Sequence, residues 1–385
     1  MPFNSKMLDY SYEENQHLLY WPESSRLKQA REENKPAMNY TMPGIREEFM
    51  RSSIDFRFKD LYNKFFPNLD IPLNQRGLSW FIKKGLFEAA LNGTSDMLTW
   101  LGQGKEKAGR PSEITQVSME VWSLRFQLLI NLRMHAQLLS EIAPFEELDA
   151  PDLYYQYRSP DKTGSYVPFT MRLIHAESLR FSPFPWRSLI RISKLWEDVE
   201  SIIKNMEADQ QPEENVKAWR SRLETVKLVY VRVLHELGEY KQSMAILEQV
   251  RNDNSDMNEK LEITRAMMRM AMQAGDEKSM NLQAEYAHKY SAGTNEMILH
   301  KAFRSIFLGA FTHANDYIFR IQNEEKKPQI LNTKAIVQLY SAQTRNAVET
   351  LMQIKPLLDG PTTTNLKTMA ELCYSTAAKD ELLIR

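Results

Sequence analysis

The chain has 385 residues, enough for two or three globular domains or for one long repeat array. Its 49 Lys and Arg residues against 50 Asp and Glu residues give a net charge of −1, which leaves no basic excess for nucleic-acid phosphates. One cysteine, Cys373, excludes an internal disulfide and is typical of a reducing compartment. No stretch is long and apolar enough for a transmembrane helix. We therefore expect a cytoplasmic protein that does not bind nucleic acid.

Helix-forming residues dominate the chain, and its 13 glycines and 17 prolines are few. We predict an all-α protein. Residues 1–75 contain several prolines and are predicted to form a partly irregular N-terminal extension, with one helix near 45–66. Residues 76–385 are predicted to form an array of helical hairpins, interrupted at 149–168 by an irregular segment rich in Tyr and Pro, which we call the insert.

A short turn signature recurs in the second half of the chain. Its glycines, Gly238, Gly275 and Gly309, lie 37 and 34 residues apart, which is the period of a tetratricopeptide helix–turn–helix repeat. Each glycine is predicted to permit a tight approach of two helices. Similar turns near residues 85, 133, 182 and 342, the last at Ala342 without glycine, predict about seven hairpins. The pattern indicates a tetratricopeptide-type α-α superhelix, an α-solenoid that holds other proteins.

Patterns that would indicate chemistry are missing from the sequence. The seven histidines lack metal-ligand spacing. The segment Gly102–Lys105 (Gly-Gln-Gly-Lys) is similar to part of a phosphate-binding loop, but no predicted strand precedes it and no Ser or Thr follows the lysine. Four methionines at 267, 268, 270 and 272 either fill gaps in the core or line a binding groove, and we favour the core. We predict no catalytic residue, no cofactor, no metal and no enzyme activity.

The insert is the exception, because it concentrates aromatic side chains on irregular backbone. One interpretation is an internal staple that packs between repeats. The other is a loop that docks a partner, since Tyr and Arg are common in binding hot spots. Its candidate partner-binding residues are Tyr154, Tyr155, Tyr157 and Arg158.

These same residues resemble the subunit 12 family of the trafficking protein particle (TRAPP) complex. The resemblance runs from about Leu78 to the last residue, and its most specific pieces are Gly85–Leu91, Gly102–Gly104, and Pro144–Phe145 leading to Leu148–Tyr155, which Val167–Glu177 follows. Trp219–Leu223 extends it. The further candidate partner-binding residues are therefore Trp219, Arg220 and Arg222.

The resemblance implies a non-catalytic scaffold subunit of TRAPP III, an assembly that tethers vesicles and promotes nucleotide exchange on a Rab-type GTPase. It implies a role in ER-to-Golgi transport and autophagy, at the ER–Golgi intermediate compartment and Golgi membranes. Direct partners would be other TRAPP subunits, above all the large outer-arm ones; a Rab-type GTPase and the vesicle membrane would be indirect ones. The competing interpretation is a tetratricopeptide adaptor outside trafficking, for example a mitotic or kinetochore regulator.

Overall fold

The structure, a computed structural model, describes residues 17–33, 38–46, 75–291, 294–321, 327–354 and 360–379. These residues form helices, short turns and two isolated β-bridges, and they contain no strand. The predicted all-α fold class is confirmed. Contacts divide the chain into two compact units, Met1–Ile246 and Leu247–Arg385.

The first unit is built from helices that are joined by tight turns. In chain order they are α1 (Ser25–Glu32), α2 (Gln75–Lys83), α3 (Phe87–Trp100), α4 (Gln116–Asn131), α5 (His135–Ile142), α6 (Tyr155–Arg158), α7 (Phe169–Ser178), α8 (Arg187–Ala208), α9 (Glu213–Glu236) and α10 (Tyr240–Asp253), whose end lies past the unit boundary. Helix α3 packs on α4, α7 on α8, and α8 on α9.

The second unit continues with helices of similar length. They are α11 (Met257–Ala274), α12 (Glu277–Ser291), α13 (Asn295–Phe307), α14 (Phe311–Phe319), α15 (Pro328–Tyr340), α16 (Thr344–Met352) and α17 (Gly360–Cys373). Met267, Met268 and Met270 are buried, so the interpretation of these methionines as core residues is confirmed. In the described parts of both units, the turns form seven helical hairpins, which agrees with the predicted number of about seven.

Six of the seven hairpin turns in the described residues share a residue with left-handed backbone after the first helix; the turn between α7 and α8, where Ser182 is extended, is the exception. Gly238, Gly275 and Gly309 have φ values of 81°, 74° and 73°. Arg133 and Ala342 occupy the same region with φ values of 58° and 63°, although neither is glycine. The repeated feature is therefore the turn geometry, and glycine is the residue that adopts it without strain.

We expect Gly238→Val to lower the free energy of unfolding by about 1–2 kcal/mol, because a β-branched residue is strained at positive φ. A Cβ atom at Gly238 would meet no heavy atom within 4 Å, so the predicted tight helix approach at this glycine is wrong. Ala342→Gly is the matched control, and we expect it to raise the melting temperature slightly. Thermal unfolding that is unchanged in Gly238→Val would contradict the strain argument.

The core of the first unit is one contiguous cluster of buried side chains. At its centre the ring centroids of Trp122, Phe126 and Phe145 lie 5.5 to 6.0 Å apart. The buried amide oxygen of Gln103 accepts a hydrogen bond of 2.9 Å from the indole Nε1 of Trp122. A Cβ atom at Gly104 would lie 2.0 Å from the Thr99 side chain, so only glycine fits there. The Gly-Gln-Gly motif is thus part of the packing of this core.

A buried ion pair lies within the second hairpin and is hydrogen-bonded to the first. The guanidinium of Arg125 donates to both carboxylate oxygens of Glu141, at 2.5 and 2.7 Å, and both side chains are almost fully buried. Its third nitrogen, Nη1, donates to the hydroxyls of Thr94 and Ser95 on α3 at 3.2 and 2.7 Å. The Gln137 amide donates to Glu141 at 2.8 Å. The network therefore connects α3, α4 and α5 and supplies hydrogen bonds to both buried charges.

Residues 17–33 and 38–46, which we call the strap, belong to the first unit and pack against its helical hairpins. Trp21, Leu27 and Ile45 are buried and belong to its core cluster. Apolar side chains of the region predicted as an N-terminal extension thus lie in the same core cluster as those of the hairpins. The helix predicted near 45–66 lies outside the described residues, apart from its first two.

Candidate interaction site

The strap is held on the insert by buried hydrogen bonds. The carboxylate of Asp152 accepts hydrogen bonds from the backbone N–H of Tyr40 and of Thr41, at 2.9 and 2.7 Å, and from the Thr41 hydroxyl at 2.9 Å. Burial raises the pKa of Asp152, and these hydrogen bonds oppose the shift. The hydroxyl of Tyr157 accepts a hydrogen bond of 2.8 Å from the N–H of Met38. Each contact joins the insert to residues more than a hundred positions earlier in the chain.

The first two predicted tyrosines of the insert are buried inside the unit. Tyr154 forms a β-bridge with Ser165, and burial raises the pKa of its hydroxyl. The ring of Tyr155 packs on Tyr166 with 4.1 Å between centroids. Because neither ring reaches the surface, their position favours the staple interpretation over direct contact with a partner.

The remaining predicted residue of the insert, Arg158, is half-buried. It forms an ion pair of 2.5 Å with Glu113, in the loop before α4, and donates to the side-chain oxygen of Asn39 at 3.0 Å. Arg158 therefore ties the insert both to the strap and to the hairpin array.

Trp219, predicted on α9, is fully buried beneath the strap. Its ring centroid lies 6.4 Å from that of Trp21 and 6.1 Å from that of Phe169. Its indole Nε1 donates a 3.1 Å hydrogen bond to the carbonyl of His17. Trp219 is thus the anchor for the first part of the strap.

The two predicted arginines of α9 have different surroundings. The guanidinium of Arg222 stacks over the ring of Trp219 at 4.4 Å and donates to the carbonyl of Leu18 at 2.9 Å. Arg220 is exposed and forms a 2.7 Å ion pair with Glu207. Of the predicted residues, Arg220 is therefore the one whose side chain is most available at the surface.

A polar cavity of about 330 Å³ lies between the strap, the insert, α7 and α8. Arg172 on α7 lines it, stacks on the ring of Trp21 at 3.8 Å and donates to the Ser165 hydroxyl at 2.9 Å. Burial lowers the pKa of Arg172 to about 10. Sequence reasoning missed Trp21 and Arg172 as site residues, although Arg172 falls within a piece that resembles the TRAPP family.

His175, also on α7, lines the same cavity. Its Nε2 atom is hydrogen-bonded to the backbone carbonyl of Glu146, which requires a proton on that nitrogen. Burial, assisted by the charge of Arg191, lowers the pKa of His175 from 6.5 to about 4. The imidazole is therefore neutral at neutral pH.

We expect this histidine to make the fold sensitive to acid. Its pKa is lower in the folded state, so the unfolded chain binds the extra proton and stability is lost as the pH falls from 6.5 towards 4. The contribution is roughly 3 kcal/mol over this window. His175→Gln keeps a donor for the carbonyl of Glu146 and should lose less stability in acid. Denaturant unfolding at a series of pH values measures the stability of the wild type and of His175→Gln. If both proteins lost the same stability between pH 6.5 and pH 4, the prediction would be contradicted.

The structure brings the two groups of predicted residues together through the strap. Residues 38–41 of the strap contact the insert, and residues 17–21 contact Trp219 and Arg222 of α9. Within the described part of the chain, no three His, Cys, Asp or Glu side chains are placed to hold a metal ion. None of the described helices has both the length and the apolar character to cross a bilayer.

The fold and this site define an all-α protein of tetratricopeptide type in which four predicted binding residues, Tyr157, Arg158, Trp219 and Arg222, hold the strap. No protein-family model matches the chain. The chain is 26% identical over 372 residues to trafficking protein particle complex subunit 12 of Homo sapiens, covering 87% of this chain and 50% of that protein. The Mus musculus subunit 12 is also 26% identical over 372 residues, covering 87% and 46%. The resemblance predicted from the motifs is confirmed.

The chain spans about half the length of the curated relatives it matches. Two solved structures have lower similarity. A tetratricopeptide repeat protein from Parabacteroides merdae has a TM-score of 0.39 and 10% identity, covering 80% of this chain and 95% of that one. A chain of an APC/C hetero-tetramer has a TM-score of 0.30 and 12% identity, covering 87% and 81%.

Proposed function

We propose that the chain is a non-catalytic scaffold subunit of a TRAPP complex of the TRAPP III type. The observation that carries this proposal is its similarity to TRAPP subunit 12 along 87% of the chain. The fold supports it, because a helical hairpin buries one side against its neighbours and leaves other surfaces for further proteins. As such a subunit, the chain serves vesicle tethering in ER-to-Golgi transport and autophagy.

The proposed direct partners are the other subunits of the complex, above all the large ones of its outer arms. A Rab-type GTPase and the vesicle membrane are reached through the assembled complex. The chain is then cytoplasmic and peripheral at the ER–Golgi intermediate compartment and Golgi membranes.

Affinity isolation from cells that carry a tag on the chromosomal copy tests this function. We expect quantitative mass spectrometry to find TRAPP III subunits in constant ratio to the tagged chain, against an untagged parent strain as control. Recovery of a mitotic or kinetochore assembly without TRAPP subunits would contradict the proposal and favour the adaptor interpretation.

Within this function, we infer that the insert is a staple for the strap. The support is the burial of Tyr154 and Tyr155 and the hydrogen bond between Tyr157 and Met38. On this reading the insert contributes to assembly by holding the first unit in shape, and other surfaces contact the partner subunits.

Tyr157→Ala separates the two interpretations of the insert. We expect it to cost about 1–2 kcal/mol of stability, because it removes a hydrogen bond and the ring contact with Tyr40. Limited proteolysis should cut the strap near residues 38–46 sooner, while TRAPP subunits still co-purify. Tyr157→Phe, which loses only the hydroxyl, should give a smaller effect. Loss of subunits at unchanged melting temperature would favour the docking loop.

A further inference from the structure

The segment between Glu177 and Glu197 contains no acidic residue, although the whole chain carries a net charge of −1. It includes the end of α7, a proline-rich loop and the first turns of α8. Its basic residues are Arg180, Arg187, Arg191 and Lys194. This is a local concentration of positive charge that also contains several aromatic residues.

Two prolines, Pro183 and Pro185, place a cluster of large side chains at the surface of this segment. Phe184 is 52% exposed, Trp186 51% and Ile190 63%. The guanidinium of Arg187 lies over both rings, 5.1 Å from the centroid of Phe184 and 5.7 Å from that of Trp186. We call Phe184, Trp186, Arg187 and Ile190 the aromatic elbow.

The elbow is built on a rigid element. On the opposite face of α8, Ile192 and Leu195 are buried in the core of the first unit and Leu189 packs against it. The proline-bounded loop and the anchored helix restrict the backbone that carries the two rings. A preformed surface of this kind loses little conformational entropy on binding.

The charges beside the elbow favour a negatively charged partner. Arg180 forms an ion pair of 2.9 Å with Glu177, and Arg191 one of 2.5 Å with Glu147. Among the described residues, no carboxylate forms an ion pair with Arg187. Lys194 follows Ile190 by four positions on α8, but it also lines the polar cavity, where it lies near the carboxylates of Glu147 and Asp198. Arg187 therefore remains as a positive charge without an ion-pair partner, among the described residues, next to the exposed rings.

We propose that the aromatic elbow docks an acidic segment with apolar side chains that belongs to another subunit of the proposed complex. The inference rests on the proposed function and adds to it the surface and the chemistry of the contact. Trp and Arg are the residue types that dominate protein–protein hot spots. An anionic bilayer is the weaker fit, because one unpaired arginine attracts it only modestly and stable attachment takes two signals. The side chains of Phe184 and Trp186 are also only about half exposed.

The first experiment compares the tagged wild type with Trp186→Ser and Arg187→Glu in cells. The expected result is the selective loss of at least one TRAPP subunit, since removal of a hot-spot side chain weakens binding about thirtyfold. Trp100→Ser is the matched control, because Trp100 is 87% exposed on α3 and is expected to leave all subunits bound. Circular dichroism melting of the purified variants checks that they fold.

The second experiment joins the partner to Lys194 chemically. A zero-length carbodiimide forms an amide between the Lys194 amine and a carboxylate that touches it, with loss of water. We expect mass spectrometry to find Lys194 linked to an Asp or Glu of another subunit in the isolated complex, in addition to links within the chain to Glu147 or Asp198, which do not count as support. Lys194→Arg keeps the charge but should abolish the link. The link is sought in the wild-type chain, so this experiment needs no substitution that could destabilise the protein.

The outcomes are distinct. A wild type that recovers no TRAPP subunit would overturn both the proposed function and this inference. Recovery of the same subunits with Trp186→Ser and Arg187→Glu as with wild type would overturn the inference alone. Binding of the purified chain to vesicles of phosphatidylcholine and phosphatidylserine, lost in Arg187→Glu, would overturn it in favour of a membrane.

Discussion

Replacing Glu141 with alanine is expected to lower the free energy of unfolding by about 3–5 kcal/mol, because it leaves a buried charge without its partner. The guanidinium of Arg125 would keep its hydrogen bonds to Thr94 and Ser95, but these hydroxyls cannot offset its charge. Urea unfolding followed by circular dichroism measures the effect. The loss should appear as a lower urea concentration at the unfolding midpoint and as a lower free energy of unfolding extrapolated to water.

The control removes both charges together. Arg125→Met with Glu141→Leu replaces the pair by apolar side chains, and such exchanges are often close to neutral. We therefore expect the double variant to be more stable than Glu141→Ala alone. If the double variant were the less stable of the two, the pair would owe its effect to packing volume and not to an unpaired charge.

Trp219→Ala should have an effect of the same size, about 3–5 kcal/mol, because it opens a large cavity in the core. It also removes the indole that donates to the carbonyl of His17 and the ring that faces Trp21. Trp100→Ala is the matched control and should change stability by less than about 0.5 kcal/mol, since Trp100 projects into solvent.

Denaturant unfolding and limited proteolysis distinguish the roles considered for Trp219. We expect early cleavage of the strap around residues 17–24 in Trp219→Ala and none in Trp100→Ala. A Trp219→Ala protein with wild-type stability but without its partner subunits would instead place this side chain in an interface.

The hairpin array could be predicted because the sequence signals that specify it are local. A turn and the helices beside it lie within about forty residues, and the glycines at Gly238, Gly275 and Gly309 recur with the period of one repeat. Ala342 shows why the period was more informative than the residue type. Its backbone is left-handed with φ of 63° even though a glycine is missing.

The role of the strap could not be predicted, because it depends on contacts between distant parts of the chain. His17 and Trp219, which share a hydrogen bond, are 202 positions apart. Trp21 shows no periodicity with its neighbours, so nothing in its own segment indicates the pocket of aromatic rings that receives it. The same limit applies to Tyr154 and Tyr155, because a segment rich in tyrosine is equally typical of a surface hot spot and of a buried staple.

The contacts of the strap also impose an order on biosynthesis. A ribosome makes residues 17–46 before the residues that bind them, because Asp152, Arg172 and Trp219 leave the exit tunnel much later. During that interval Trp21 and Leu27 lack the core that they enter in the folded unit. The strap is therefore among the last parts of the first unit to reach its native position, and slow translation of the segment up to Trp219 would lengthen the interval.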